Sequence, residues 1–256
     1  MKRYFVCLLA VFISANFVFA QDWNTAKSTH FIIYYKNAPG GFIDELTAKA
    51  ENYYDKIADD LGFRRYNFWL WDNRAKIYIY DDEKDYQAAR GQPSWSSGCA
   101  YPREKVIYSF PYAKKFFDTI LPHEMGHIVF REFVGFDNPA VPAWLDEGVA
   151  SYQQELRFSG AGIIVKDALG KNKLMSLSKL NAVNPQILTD ADAVNLFYAQ
   201  AVSVVDYLIK EFGRDRFVVF CQTLRDKKNL DKALIWAYSF QDTGELDQAW
   251  RSYLSR

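Results

Sequence analysis

Two histidines lie four residues apart in the segment HEMGH, with a glutamate directly after the first of them. They are His123 and His127, in a chain that has three histidines in all, and the glutamate is Glu124. On a helix, positions i and i+4 lie on one face about one turn apart, so both imidazoles could bind a single metal ion. Glu124 would lie about 100° around the helix from His123, where it could act on water beside the metal. The pattern predicts a metal site with a carboxylate placed to act on water bound to the metal.

The residues around this pattern predict a helix over Leu121–Val134 that ends at Gly135. Its apolar residues would form a buried face, and Pro122 is tolerated because amide groups in the first turn have no partner within the helix. We expect Thr119 or Asp118 to cap the start of the helix. A helix with paired histidines can also be a solvated face or a satisfied polar cluster, so the choice depends on whether the chain offers a further ligand.

A catalytic zinc ion usually has three protein ligands and a fourth position for water. The remaining histidine, His30, lies in a strand-like segment and is expected to have its own partners. A carboxylate is therefore the expected third ligand, and the segment PAWLDEGVASYQQE offers Asp146 and Glu147. The apolar residues of this segment predict a buried helix, where an unpaired carboxylate would be costly unless a metal ion neutralised it. The residues alone leave both candidates open.

The two segments together resemble the gluzincin clan of zinc metallopeptidases, because HEMGH is followed after nineteen residues by the glutamate of WLDEGVASY. Within that clan the chain is most similar to the bacterial exported peptidase MA-like families, over most of residues 27–215. The resemblance implies one zinc ion per chain, bound by His123, His127 and Glu147. It makes Glu124 the general base.

The resemblance also implies roles for three further residues. Asp146 would point away from the ion, and Ser151, one turn beyond Glu147, could hydrogen-bond one of the ligands. The tetrahedral intermediate of peptide hydrolysis carries an oxyanion, which needs a hydrogen-bond donor besides the metal. Tyr198 matches the position of the tyrosine or histidine that serves as this donor in related gluzincins. The alternative for Tyr198 is a place in the core, since the chain has 17 tyrosines.

The segment GCAYP at residues 98–102 matches the edge strand with which an extended substrate pairs in gluzincins. Pro102 cannot donate a hydrogen bond and suits the edge of a sheet. Related zinc aminopeptidases carry a glutamate in this motif that binds the free amine of the substrate, whereas this chain has no acidic residue between Gly91 and Arg103. We therefore expect cleavage inside a peptide or protein substrate, or a substrate that is not held by its amine. The alternative is a strand with a structural role only.

The first 20 residues contain Lys2 and Arg3, then an apolar run, and end in Ala20 before the polar Gln21. This pattern is typical of a secretory signal peptide, and a retained membrane anchor is the alternative. Without these residues the chain has 29 basic residues (31 minus 2) and 31 acidic ones, a net charge of −2, so no nucleic-acid partner is expected. No later segment has the roughly 18 apolar residues of a spanning helix. We expect a periplasmic or secreted protein without stable membrane insertion, of undetermined oligomeric state.

Export would leave Cys99 and Cys221 in an oxidising compartment, which permits a disulfide bond between them. Two cysteines do not make a disulfide framework, and two separately buried thiols are the expected arrangement. The fold is therefore expected to depend on its core.

An exported zinc-dependent metallopeptidase is the function that the sequence favours. Two other functions stay open: a catalytically inactive relative that serves as a binding or structural module, and a hydrolase of a non-protein amide in the cell wall. Glu124 argues against the inactive relative, because a protein that only holds zinc has no need of a base at that position.

The elements that would position these residues divide the chain into two parts. Residues 21–118 are rich in strands and residues 119–256 in helices, and we expect one domain over residues 21–256 because the composition does not change between the parts. The fold class is then α+β, with a small N-terminal sheet whose edge strand lies over the metal-binding helix, followed by a mainly helical portion. The spacing of apolar residues predicts strands at residues 29–36, 75–80, 99–101 and 106–110. It predicts helices at residues 46–61, 82–90, 121–134, 142–157, 194–212, 214–225 and 244–255, with a shorter helix between the last two and a less regular stretch at residues 159–188.

Overall fold

The structure is a computed structural model that describes residues 23–66, 68–92 and 96–256, with the side chains of residues 155–159 not described. The expected signal peptide at residues 1–20 lies outside the described residues. None of the helices in the described part of the chain combines the length and the apolar character needed to cross a membrane.

Five strands of the described chain form one mixed sheet. They are β1 (Asn24–Lys27), β2 (Phe31–Tyr35), β3 (Ala75–Ile79), β4 (Gly98–Tyr101) and β5 (Val106–Ser109), in the spatial order β1-β2-β3-β5-β4. Strands β2, β3 and β5 are parallel, while β1 and β4 are antiparallel to their neighbours. β4 therefore lies at one edge of the sheet, as expected. β1 was not predicted, because its sequence NTAK has no alternation of apolar residues.

The two faces of the sheet carry different side chains, as the alternation along each strand requires. Ile33 and Ile77 lie opposite each other and are buried on the face that packs against the helices. On the other face, the ring of Tyr78 stacks between those of Tyr34 and Tyr108, at centroid distances of 4.5 and 5.2 Å. The apolar face holds the sheet, including β4, against the helical part of the molecule.

Two helices lie between strands along the chain and the others follow the last strand, and the expected α+β class is confirmed. In the described chain they are α1 (Phe42–Asp60), α2 (Glu83–Arg90), α3 (Leu121–Val134), α4 (Ala143–Tyr152), α5 (Glu155–Gly170), α6 (Leu177–Leu180), α7 (Ala191–Phe212), α8 (Arg214–Lys227), α9 (Leu230–Tyr238) and α10 (Thr243–Leu254).

The start of α3 differs from the prediction. Phe116–Ile120 forms a π-helical turn that runs directly into α3, so Ile120 already has helical backbone angles and no side chain caps the helix. Thr119 and Asp118 lie inside this turn, and the expected cap is therefore wrong. A side-chain cap is not needed because the turn supplies a backbone acceptor for the start of the helix: the amide of Leu121 donates a hydrogen bond to the carbonyl of Phe116.

The helix expected at residues 142–157 is split in the structure. α4 ends at Tyr152, and Gln153 and Gln154 close its last turn with backbone hydrogen bonds before α5 begins. α5 then occupies much of the stretch that was expected to be less regular. This helix was not predicted because its apolar residues do not all lie on one buried face. Ile163, for example, is 75% exposed.

Two glycines allow the helices around the site to approach closely. A Cβ atom on Gly126 of α3 would lie 2.9 Å from the Cα atom of Ala150 in α4. One on Gly148 of α4 would lie 2.5 Å from the carbonyl oxygen of Ala201 in α7. A side chain at either position would require the backbones to separate. α4 is therefore held directly between α3 and α7, the helices that carry the remaining candidate site residues.

Candidate metal centre

His123 and His127 project from α3 toward Glu147 of α4. The Nε2 atoms of the two histidines are 3.1 Å apart, and Glu147 Oε2 lies 3.5 Å from His123 Nε2 and 3.7 Å from His127 Nε2. In a tetrahedral site with bonds of about 2.0–2.1 Å, ligand atoms lie about 3.3 Å from one another. The three atoms therefore have the mutual spacing of a zinc ligand set.

Two buried polar atoms of this group have no hydrogen-bond partner in the described chain. They are Glu147 Oε2 and His123 Nδ1. A buried carboxylate oxygen without a partner is costly, and a cation bound to it would offset that cost. Two imidazole nitrogens and one carboxylate oxygen are also ligand types that zinc favours. The residues present thus fit a zinc ion.

His127 is supported, on the side away from the other candidate ligands, by the partly buried ion pair between Asp146 and Arg131. Its Nδ1 atom lies 3.1 Å from Asp146 Oδ1, and the other oxygen of Asp146 accepts a hydrogen bond from Arg131 Nε at 2.9 Å and lies 2.8 Å from Arg131 Nη2. Asp146 therefore contacts the side of the imidazole ring that faces away from His123 and Glu147. A carboxylate in this place fixes the ring orientation and raises the basicity of a metal-binding histidine.

Burial and charge act against each other on the pKa values of this group. Burial lowers the pKa of His127, but Asp146, through its charge and hydrogen bond, and Glu147 raise it to about 9. Burial raises the pKa of Asp146, but His127 and Arg131 outweigh that effect and bring it to about 2. For Glu147, burial raises the pKa, while the neighbouring His123 and His127 bring it below its usual value. The carboxylates thus favour a positive charge, a proton or a metal ion, at His127.

A cavity of about 640 Å³ between the edge of the sheet and α7 is lined by the metal group, which consists of His123, Glu124, His127, Asp146 and Glu147. Glu124 lines the cavity beside the candidate ligands, and Tyr198 lines it from α7. Gly98, Cys99 and Ala100 of β4 contribute the opposite side. One cavity therefore contains three converging ligand atoms, a further carboxylate, a phenol and a sheet edge.

A family model described as the Peptidase MA superfamily matches residues 67–256, which are 190 of the 256 residues of the chain. The chain belongs to the Peptidase MA superfamily. This membership confirms the family resemblance that the HEMGH and WLDEG segments indicated. A search of curated proteins finds no sequence that matches this member of the superfamily.

One similar solved structure is that of yeast LTA4 hydrolase in complex with bestatin. The two chains share 12% sequence identity with a TM-score of 0.42, and the alignment covers 91% of this chain. It covers 37% of the hydrolase chain, so this Peptidase MA protein spans little more than a third of that length.

Three expectations about other polar residues have different outcomes in this superfamily member. His30 has its own partner, as expected, because its Nδ1 atom lies 2.6 Å from Glu51 Oε2. Ser151 does not hydrogen-bond a metal ligand, because its hydroxyl is fully buried and has no hydrogen-bond partner in the described chain, so that expectation is wrong. Cys99 and Cys221 are both free thiols, so no disulfide bond joins them.

The structure also adds residues that the sequence reasoning missed. Arg131 follows His127 by one turn of α3, and this i, i+4 spacing was a signal that could have linked it to the site. Val194 precedes Tyr198 by one turn of α7 and lines the cavity with it. Leu188 lines the cavity too, but it lies in an irregular segment where no periodicity could have indicated its role.

Proposed function

We propose that this member of the Peptidase MA superfamily is an exported zinc-dependent metallopeptidase that cleaves bonds inside a peptide or protein chain. The observation that carries the proposal is the convergence of His123, His127 and Glu147 in a cavity that also contains Glu124. A site that only stored zinc would not need Glu124, a carboxylate in the same cavity that is not one of the three ligands. Export rests on the sequence of residues 1–20.

In this proposal His123, His127 and Glu147 hold one zinc ion, and Asp146 orients His127. When bound there, zinc supplies a Lewis acid that polarises a carbonyl group and makes water more acidic. The two imidazoles bind in their neutral form, with Nε2 toward the ion. Asp146 accepts the hydrogen bond from Nδ1 of His127 and so fixes the tautomer that leaves Nε2 free.

Glu124 is the proposed general base. Its carboxylate accepts a proton from the attacking water and delivers that proton to the nitrogen of the departing amine. Tyr198 is the proposed donor to the oxyanion, since its phenol lines the same cavity from α7. A hydrogen bond that forms only as charge develops on the oxygen would lower the barrier rather than tighten substrate binding.

The edge strand β4 is the proposed binding site for the substrate main chain. Of the described strands only β5 pairs with β4, and Gly98, Cys99 and Ala100 of β4 line the cavity. An extended peptide can add to such an edge as a further strand. Among the described lining residues, the carboxylates are Glu124, Asp146 and Glu147, so none outside the metal group is present to bind a free amine. This distribution favours internal cleavage over removal of N-terminal residues.

The test is hydrolysis of a protein and of peptides blocked at both ends by the purified, zinc-loaded chain. We expect cleavage that a chelator abolishes and added zinc restores. Glu124→Gln should keep one zinc ion per chain and lower turnover by about 10²- to 10⁴-fold, because it removes a base and not a ligand. Glu104→Gln is the matched control, since Glu104 is exposed and does not line the cavity. Bound zinc without peptide hydrolysis would instead support an inactive binding module or a non-protein amide substrate.

A further inference from the structure

The two sides of the candidate active-site cavity differ in chemical character. The side formed by β4 and the segments directly before and after it presents small or polar groups: Gln92, Ser96, Gly98, Cys99, Ala100 and Pro102. The opposite side carries mostly apolar groups: Pro185, Leu188 and Val194, together with Tyr198 and the amide Gln186.

The apolar side comes from two neighbouring segments. Val194 and Tyr198 are four residues apart on α7 and therefore share one face of that helix. Leu188 precedes α7 and is partly buried, whereas Ile187, directly before it, is 73% exposed and does not line the cavity. The two adjacent side chains thus point in different directions: Leu188 points into the cavity and Ile187 points toward solvent. Leu188 and Val194 leave apolar surface there that a bound ligand could cover.

The charged side chains in the described lining all belong to the metal group. They are His123, Glu124, His127, Asp146 and Glu147, and Asp146 is already paired with Arg131. A charged substrate side chain placed against Leu188 and Val194 would find no opposite charge there, and burying it without a partner is costly.

We propose that Leu188 and Val194 form a subsite that accepts an uncharged, apolar side chain beside the bond to be cleaved and rejects charged ones. This inference rests on the proposed peptidase function, because the subsite can affect the rate of cleavage only if the protein cleaves peptides. In an apolar pocket, one methylene group changes specificity by about 10-fold or more. We therefore expect kcat/KM to be at least about tenfold higher for a leucine than for an alanine at this position, with aspartate and lysine lower still.

The first experiment compares four peptides blocked at both ends, identical except for one central residue that is leucine, alanine, aspartate or lysine. Mass spectrometry locates the cleaved bond, and kcat/KM is measured with the zinc-loaded chain. The expected result is preferred cleavage next to leucine. Equal kcat/KM for the leucine, aspartate and lysine peptides would overturn the subsite, while the proposed peptidase function would stand.

The second experiment assigns the preference to the apolar side of the cavity. Leu188→Lys should lower kcat/KM for the leucine peptide at least about tenfold and improve the aspartate peptide relative to it, because the new ammonium group can pair with the carboxylate. Ile187→Lys is the matched control, one residue away and exposed, and should leave both values unchanged. If Leu188→Lys lowers Tm or zinc content, Val194→Thr serves instead and should weaken the same preference. An unchanged preference in a folded variant would overturn the inference.

A binding measurement separates this inference from the proposed function. Zinc-loaded Glu124→Gln is titrated with the same peptides, and fluorescence anisotropy of a labelled end gives Kd. Suppose that Glu124→Gln binds the leucine peptide more tightly than the other peptides, while the unmodified chain cleaves none of them. That result would refute the peptidase function and support the apolar subsite. Absence of both binding and cleavage would overturn both.

Discussion

The imidazole of His127 makes contacts through both of its ring nitrogens. Nε2 faces the other two candidate ligands, while Nδ1 faces Asp146, which Arg131 holds in turn. His123 lacks such support, because its Nδ1 atom has no hydrogen-bond partner in the described chain. The orientation of the ligand set therefore depends on the Asp146 carboxylate more than on any group behind His123.

Asp146→Asn tests this dependence, because it keeps the shape of the side chain and removes its charge. We expect zinc affinity to fall by about 10- to 100-fold, with one zinc ion still bound at saturation. Competition with a chromophoric chelator measures the affinity, and Asp137→Asn is the control, since Asp137 is an exposed partner of Arg103. Complete loss of zinc binding would instead make Asp146 a ligand itself.

The pKa of His127 predicts how zinc binding depends on pH. Because this pKa is raised to about 9 in the metal-free chain, the imidazole is protonated at pH 7 and must lose its proton to bind zinc. The proton competes less as the pH rises, so apparent affinity should increase up to about tenfold per pH unit toward pH 9. Calorimetry in buffers of different ionisation enthalpy should show release of about one proton at pH 7. Affinity that does not change between pH 7 and 9 would contradict this.

Tyr198→Phe distinguishes a catalytic phenol from a core tyrosine. We expect kcat to fall by about 10²- to 10³-fold, the usual effect of removing one oxyanion donor, with zinc content and Tm nearly unchanged. Tyr207→Phe is the control, since Tyr207 is buried on the same helix and does not line the cavity. A fall in Tm with unchanged kcat would assign Tyr198 to the core.

At the scale of the elements, the close contact of α4 with α7 depends on Gly148. Gly148→Ala would place a methyl group 2.5 Å from the carbonyl oxygen of Ala201, so we expect a loss of stability of about 1–3 kcal/mol together with weaker zinc binding. Gly162→Ala is the control in α5, where a Cβ atom meets nothing within 4 Å. It should raise stability by about 0.5–1 kcal/mol, because alanine favours a helix more than glycine does. Equal Tm values for the two variants would contradict the contact.

Elements with a regular apolar pattern were predictable from the sequence, and the others were not. α3 and α7 follow the helical period, and β3 alternates, so their positions were found to within a few residues. α5 lacks one apolar face and β1 lacks alternation, so neither was recognised. The π-helical turn before α3 depends on how Phe116–Ile120 fits against its neighbours, which no local pattern records.

The same distinction applies to the candidate site. His123, Glu124 and His127 share one helix, so their spacing alone predicted that they lie together. The placement of Glu147 depended on a family resemblance, because it requires the position of α4 relative to α3. Arg131 and Leu188 belong to the site through contacts between separate segments, and a single sequence does not give those contacts.

At the scale of the whole molecule, α3 connects the sheet to the helical part, because it packs against both. This helix packs against α1 and the strands β4 and β5 on one side and against α4 and α8 on the other. We therefore predict one cooperative unfolding transition, with equal calorimetric and van't Hoff enthalpies, and no folded state for residues 21–118 or 119–256 expressed alone. Two separate transitions in scanning calorimetry, or a folded fragment by circular dichroism, would show two domains instead.

The glycine contacts of α4 also bear on which cations the chain can distinguish. The candidate ligand atoms lie 3.1–3.7 Å apart, and Gly126 and Gly148 hold the backbones that carry them against their neighbours. Calcium forms bonds of about 2.3–2.6 Å to six or more oxygen atoms. Two of the three converging ligand atoms are nitrogens, and the close backbone contacts of Gly126 and Gly148 oppose any rearrangement of α3 and α4 that would supply further oxygen ligands. Ligand chemistry, preserved by the helix packing, is therefore expected to favour zinc over calcium, and we expect that millimolar calcium in the surroundings would not displace zinc from this site.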